Sequence, residues 1–375
     1  MSNIYTRVVQ ELETNKRLRE EGKHINIPFP FKRFAQYVPG IQKGRYYLVT
    51  ANSKVGKSKI TDFLFMYNPF FLMRNTHTDI RLKIFYFTLE MSKEEKIKEA
   101  MSHFLYRKTG GKIKEAPEVL SSQYENYILS DKILEEIRAL DPVFKEFESK
   151  VEFIDDVRNP TGIYNYIRDY ANSHGETITK KHTFRYKDEN GNVVAEEKEI
   201  SDFYVPHDPD EYVIVIIDHA SLITPENIGG RMQTLQDAMT NLSSNYLVRM
   251  RNKWGYIPVL IQQQAAAQES VENLKFNKLQ PSLEGLGDSK IVGRDPDLIL
   301  GLFSPYRYKI KDYLGYDIAK LKDKHRELIV IANRRGQAVS TQLFFDGAVN
   351  HFYELPQIGS QELTKLYEKI EGGLY

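Results

Sequence analysis

Apolar residues gather in short runs of β-forming character at 46–50, 81–89, 151–154, 212–217, 257–262, 298–303, 327–331 and 341–345. Most of these runs are separated by stretches with helical spacing, in which apolar positions return every three or four residues. Met232, Leu235, Met239, Leu242 and Tyr246 form one such stripe, ahead of the strand that follows Pro258, and predict a helix packed on the core. Several runs are apolar throughout rather than alternating, as strands covered on both faces are. The pattern predicts an α/β fold around a mostly parallel sheet with helices on each side.

Three segments depart from this rhythm. Ile4, Val8 and Leu12 recur at four-residue spacing among charges, which predicts an amphipathic helix over 3–21 that ends at Gly22. The stretch 180–199 is polar, with Phe184 and Tyr186 on alternate positions ahead of Asn190-Gly191, a two-residue hairpin turn. It predicts a surface β-hairpin inserted at about 178–205. After Pro356 the chain reads as a short polar helix ending in Gly372-Gly373. The expected organisation is a helix in 1–24, a main body in 25–356 and a tail in 357–375.

Composition narrows the setting. The 375 residues can bury a substantial core, and length alone leaves one large domain with appendages or two domains open. Lys and Arg number 52 against 51 Asp and Glu, so no blanket of positive charge exists and any nucleic-acid contact is local. The absence of cysteine excludes disulfides and thiolate metal sites. With a charged start and no apolar run near about eighteen residues, the expectation is a soluble cytoplasmic protein that makes no membrane contact.

The chemistry is concentrated at the ends of the apolar runs. Ala51, Asn52, Ser53, Lys54, Val55, Gly56, Lys57 and Ser58 fit the phosphate-binding loop, a small residue, four variable ones and Gly-Lys-Ser, placed between a strand and a helix. Backbone N–H groups of such a loop wrap the phosphates of ATP, Lys57 neutralises the outer two, and the Ser58 hydroxyl holds Mg²⁺. The helix beyond points its positive end at the same anion. A second metal-orienting carboxylate is expected at Asp218, delivered by the apolar strand 212–217. Glu90, at the end of the strand 81–89, is the candidate for polarising a water. Among Gln262, Gln263 and Gln264, strand alternation lets one or two amides reach the γ-phosphate. His219, beside Asp218, is read as packing or support.

With these residues in place, the chain resembles the RecA-like ATPase domain of DnaB-type replicative helicases, hexameric ring helicases of superfamily 4. The likeness runs from about 25 to about 352. After the phosphate loop it is carried by Leu89-Glu90-Met91-Ser92, Phe153-Ile154-Asp155-Asp156, Ile217-Asp218, and Pro258-Val259 leading to Gln264. Asp288-Ser289 with Asp295-Pro296-Asp297, then Asn333-Arg334-Arg335-Gly336 with Phe345-Asp346-Gly347, complete the order. The resemblance implies Lys57 on phosphate, Ser58 and Asp218 on Mg²⁺, Glu90 as catalytic carboxylate and Gln264 as γ-phosphate sensor. It implies that Arg334 is an arginine finger reaching the neighbouring subunit's nucleotide, and that Gly287, Ser289 and Lys290 contact single-stranded DNA. It implies a homo-oligomeric, hexameric ring acting in DNA replication, with a primase or loader in trans.

Two departures stand out. The family's lysine two residues before the finger is replaced by Ala332, and the expectation is a short form resembling those of bacteriophages, without the globular N-terminal domain of bacterial members. The lysines at 309, 311, 320, 322 and 324 read as a solvated face rather than a DNA contact. An ATPase of this type that serves recombination or assembly without unwinding, or a nucleotide-gated scaffold, also accommodates the motifs.

Overall fold

The computed structural model describes residues 4–23, 25–76, 78–122, 128–187, 189, 191–275, 278–289 and 292–373. Nine strands make the central sheet: β1 Tyr47–Ala51, β2 Arg81–Thr88, β3 Val151–Ile154, β4 Glu211–Asp218, β5 Ile257–Gln263, β6 Leu298–Phe303, β7 His325–Asn333, β8 Ser340–Asp346 and β9 His351–Glu354. Their order across the sheet is β9-β8-β7-β6-β1-β5-β4-β2-β3. The pairs from β6 to β3 are parallel, and those from β6 out to β9 are antiparallel. This is the mostly parallel α/β sheet that the apolar runs predict, extended by an antiparallel wing.

Alternation along each strand feeds two cores. Tyr47 and Val49 of β1 pack with Ile60, Phe63 and Phe104 on one face, while Tyr46 and Leu48 pack with Ile163, Leu242 and Trp254 on the other. On the first face one helical run begins at Lys57 and passes through a wider π-turn, Phe63–Tyr67, into Asn68–Asn75. Pro69 has no N–H to give that turn, and the wider turn accommodates it. On the second face Leu235–Thr240 leads through Asn241–Leu247 into Val248–Trp254, closed by left-handed Gly255.

The sequence stripe starts this second helix too early. Met232 belongs to a two-residue ladder, Arg231–Met232 against Asn227–Ile228, and is 64% exposed. Thr234 caps the helix instead, in a reciprocal pair with Asp237, so the periodic residues begin at Leu235.

The helix Ile4–Glu20 buries no residue in this chain, and the Arg7 guanidinium sits 4.1 Å over the ring of Phe203. Phe203 lies on the hairpin, whose arms Gly175–Lys187 and Val193–Pro206 are longer than the sequence pattern predicts. Gly175 is required where the hairpin leaves the body: a Cβ there would stand 2.3 Å from the Tyr204 hydroxyl. Asn190, half of the predicted turn, lies outside the described residues. The tail helix Gln361–Glu371 is amphipathic rather than simply polar, and packs Leu363, Leu366 and Ile370 against Ile318, Leu321 and Phe344.

Candidate active site

Because β1, β5, β4 and β2 are parallel, their C-terminal ends share one edge, and the phosphate loop, Gln264, Asp218 and Glu90 fall there. Beyond Ala51 the chain turns through two left-handed residues, Lys54 (φ 59°) and Gly56 (φ 108°), before the helix starts at Lys57. Such a turn points successive N–H groups into one concavity. Gly56 serves its backbone angle and not close packing, since a Cβ there would find nothing nearer than 3.7 Å.

The loop's carbonyls are held from outside. Arg326, 3% exposed, donates from Nε to the Val55 carbonyl at 2.8 Å, and its Nη1 donates to Ser304 Oγ and to the Asp323 and His325 carbonyls. Arg307 Nη1 donates to the Ser53 carbonyl at 2.5 Å. Asn52 Nδ2 donates to the Leu279 carbonyl at 3.1 Å and to the Tyr308 hydroxyl at 2.6 Å. With the Ser53 and Val55 carbonyls and the Asn52 amide nitrogen tied outward, the loop keeps the shape its N–H groups need to hold an anion.

Asp218 ends β4 and is buried. Ser58 Oγ donates to its Oδ1 at 3.1 Å, and the Tyr86 hydroxyl lies 3.0 Å from Oδ2 and 2.8 Å from Asp62 Oδ1. Behind them Lys96 Nζ reaches Asp62 Oδ2 at 2.9 Å, Glu99 Oε2 at 3.3 Å and Asp218 Oδ2 at 3.9 Å. Lys59 reaches Glu99 Oε1 at 2.5 Å. Burial pushes the Asp62 carboxyl up to about 6, although Lys96 pulls the other way. Burial also works against the Lys96 charge, but Asp62, Glu99 and Asp218 outweigh it and raise that ammonium well above its usual range.

Ser58 Oγ and Asp218 Oδ1 are hard oxygen donors side by side, as Mg²⁺ prefers. Among the described residues no cluster of three or more His, Asp or Glu forms a complete metal cage. The donor set therefore fits an ion that takes its remaining ligands from phosphate and water.

Register places Thr88 beside Asp218, and Leu89 N donates to the Asp218 carbonyl at 2.8 Å. Glu90 follows with its side chain 52% exposed, its Oε2 3.7 Å from His219 Nε2. Burial, with the Lys57 ammonium behind it, holds His219 below the usual imidazole range against the pull of Asp218 and Glu90. His219 also lines a cleft of about 480 Å³ with Ser221, Gln262, Gln263, Gln264 and Leu286.

Gln264 is placed differently from Ser58 and Asp218. Its amide nitrogen donates to Thr50 Oγ1 at 2.9 Å and to the Ser282 carbonyl, and its Oε1 accepts from Ser282 N. It joins the end of β1 to the segment that enters the short helix Glu284–Ser289, which contains Gly287 and Ser289. Lys290 lies outside the described residues. Arg334 is exposed at the opposite edge: Asn333 pairs with Leu298, Leu298 with Tyr47, and Ala51 lies four residues further along β1. At about 3.3 Å per residue, sheet register alone separates Arg334 from the phosphate loop by about 13 Å. Its main-chain N–H donates to the Asp297 carbonyl at 2.9 Å, and its guanidinium to the Arg294 carbonyl.

Other motif residues brace the body. Asp295 Oδ2 accepts from Ser243 and Ser244, both at 2.7 Å, and Asp297 Oδ2 accepts from Tyr46 N and Arg251 Nη1.

No family model and no curated protein matches the chain at the level of sequence. Solved structures do match. The ATPase domain of G40P superposes with a TM-score of 0.67 at 16% identity, covering 95% of this chain and 100% of that one. A DnaB-like replicative helicase, described together with its interactions with primase, gives 0.66 at 15% identity over 95% of this chain and 68% of its own. The fold is that of a DnaB-like helicase's RecA-like ATPase domain. No described helix is long and apolar enough to cross a membrane.

Within this RecA-like domain, sequence reasoning missed Tyr86, Lys96, Arg307 and Arg326. Lys96 had a signal of position: with Glu99, Ala100 and His103 it completes a buried stripe at helical spacing on Lys93–Lys108, hidden because two of its members are charged.

Proposed function

We propose that the protein is an ATP-dependent DNA helicase or translocase that acts on single-stranded DNA in replication and hydrolyses ATP at the subunit interfaces of a homo-oligomeric ring. The supporting observation is the separation of Lys57, Ser58 and Asp218 from Arg334, which lie at opposite edges of one sheet. One chain cannot bring its own Arg334 to its own phosphate loop; a neighbour packed edge to edge can supply it. In this reading Lys57 and the loop N–H groups bind the phosphates of ATP, and Glu90 takes a proton from the attacking water. Mg²⁺ held by Ser58 and Asp218 would supply charge neutralisation for the phosphates. Arg334 of the adjacent subunit would stabilise charge in the transition state, with no lysine at 332 to assist.

Gln264, bonded to both Thr50 and Ser282, offers a route from the nucleotide to the 284–290 segment, the candidate contact for the DNA backbone. ATP turnover measured with and without single-stranded DNA, followed by strand separation on a forked duplex, tests the proposal. Stimulated turnover and unwinding are expected. Turnover without any response to DNA, and no strand separation, would leave an ATPase of another purpose.

A further inference from the structure

Beneath the Ser58–Asp218 pair lies a buried charged network that the reaction as described does not use. Lys96, 1% exposed, stands among three carboxylates from three elements: Asp62 on the helix that follows the phosphate loop, Glu99 on its own helix, and Asp218 at the end of β4. The helix Lys93–Lys108 begins just after Glu90, where Ser92 and Glu95 cap it reciprocally, so Lys96 sits within the first turns beyond the candidate base.

The two oxygens of Asp218 are treated differently. Oδ2 faces inward, 3.0 Å from the Tyr86 hydroxyl and 3.9 Å from Lys96 Nζ, while Oδ1 faces Ser58. The Lys96 ammonium also lies 4.8 Å from the centre of the Tyr86 ring, so the tyrosine is held at its face, while its one hydroxyl proton is shared between Asp62 Oδ1 and Asp218 Oδ2. With Oδ2 held on the inner side, the planar carboxylate leaves Oδ1 on the Ser58 side.

We propose that Lys96, acting through Tyr86, is a positioning residue for the metal-holding carboxylate: it fixes Oδ2 of Asp218 so that Oδ1 is presented, with Ser58, to a divalent cation. The proposal rests on the ATPase reading above. It also ties the helix carrying Lys96, and the Glu90 turn ahead of it, to the metal-facing edge of β4 by a side chain inaccessible to solvent. Groups that orient a metal ligand commonly change metal affinity 10- to 100-fold when removed.

The sign of the effect separates positioning from simple charge. Deleting a buried cation near a metal site would by itself draw a divalent ion in more tightly, by Coulomb attraction; losing the anchor of Asp218 weakens binding. The test uses the full chain as wild type, K96M, K96R and Y86F. Mn²⁺ is titrated into each in the presence of a non-hydrolysable ATP analogue and followed by electron paramagnetic resonance, with nucleotide affinity measured separately in EDTA. K96M and Y86F are expected to weaken Mn²⁺ binding about tenfold, to leave metal-free nucleotide affinity unchanged, and K96R is expected to restore part of the loss. A folded K96M that binds Mn²⁺ as tightly as wild type, or more tightly, overturns the proposal; if K96M does not fold, the same result with Y86F does so. Wild-type protein that binds neither the nucleotide nor Mn²⁺ would instead bring down the ATPase reading and this proposal together.

Discussion

Replacing Arg326 with Met probes how far the phosphate loop depends on what lies outside it. The guanidinium is buried and donates to the carbonyls of Val55 at 2.8 Å, Asp323 at 2.7 Å and His325 at 2.8 Å, and to Ser304 Oγ at 3.2 Å. It also covers the ring of Phe345 at 4.9 Å. Each bond contributes about 1 kcal/mol net, and a carbonyl left without a donor costs about 1–3 kcal/mol. Against this, Met relieves the burial of a charge, which already lowers the Arg326 pKa. The balance is a loss of roughly 2–4 kcal/mol, a fall of about 3–5 °C in melting temperature for a chain of this size. Because Val55 belongs to the loop, nucleotide affinity should fall further than the melting temperature alone accounts for. R326K, which keeps the charge but not the fork of donors, should recover only part of either quantity. Thermal melting and binding of a fluorescent ATP analogue measure the two effects. An R326M protein that melts within about 1 °C of wild type and binds nucleotide normally would refute the claim that Arg326 shapes the loop.

Two further expectations follow from burial and backbone geometry. Burial holds His103 and His325 down to about 3 and His351 to about 4, so these imidazoles stay neutral in the fold while the unfolded chain takes up protons below about 6.5. Their stabilisation is complete above about pH 6.5 and is lost as pH falls toward 4 for His351 and toward 3 for His103 and His325, by up to about 1.4 kcal/mol per pH unit for each; the raised Asp62 opposes them, but it is one group against three. Urea denaturation at pH 7 and pH 5 should show a clear loss at pH 5, and equal stability at the two would contradict the assignment. Gly56→Ala meets no steric wall but must hold a left-handed angle at a cost of about 1–2 kcal/mol. Its expected outcome is a tenfold or greater loss of nucleotide affinity with little change in melting, and unchanged affinity would count against the cradle.

What the sequence disclosed is governed by burial. Strands 212–217 and 298–303 were legible because both faces of the sheet are covered, which leaves uninterrupted apolar runs. The short edge strand His351–Glu354 went unread, since only Phe352 of its four residues is fully buried and its ends are polar. Met232 misled because a two-residue ladder happened to keep helical spacing with the true helix. At the candidate site, the phosphate loop, Asp218 and Glu90 announced themselves by residue type at strand ends. Lys96 and Arg326 did not, because a buried cation looks in sequence like a solvated one, and only the fold reveals the carboxylates and carbonyls that surround it.

The most direct test of a site shared between two chains is a mixing experiment. K57A and R334A are each expected to be nearly inactive in DNA-stimulated ATP turnover. Mixed in equal amounts and allowed to reassemble, they should regain activity, because an R334A subunit with an intact loop meets the intact Arg334 of a K57A neighbour. A mixture no more active than either variant alone, or an R334A protein that turns over ATP at the wild-type rate, would contradict it.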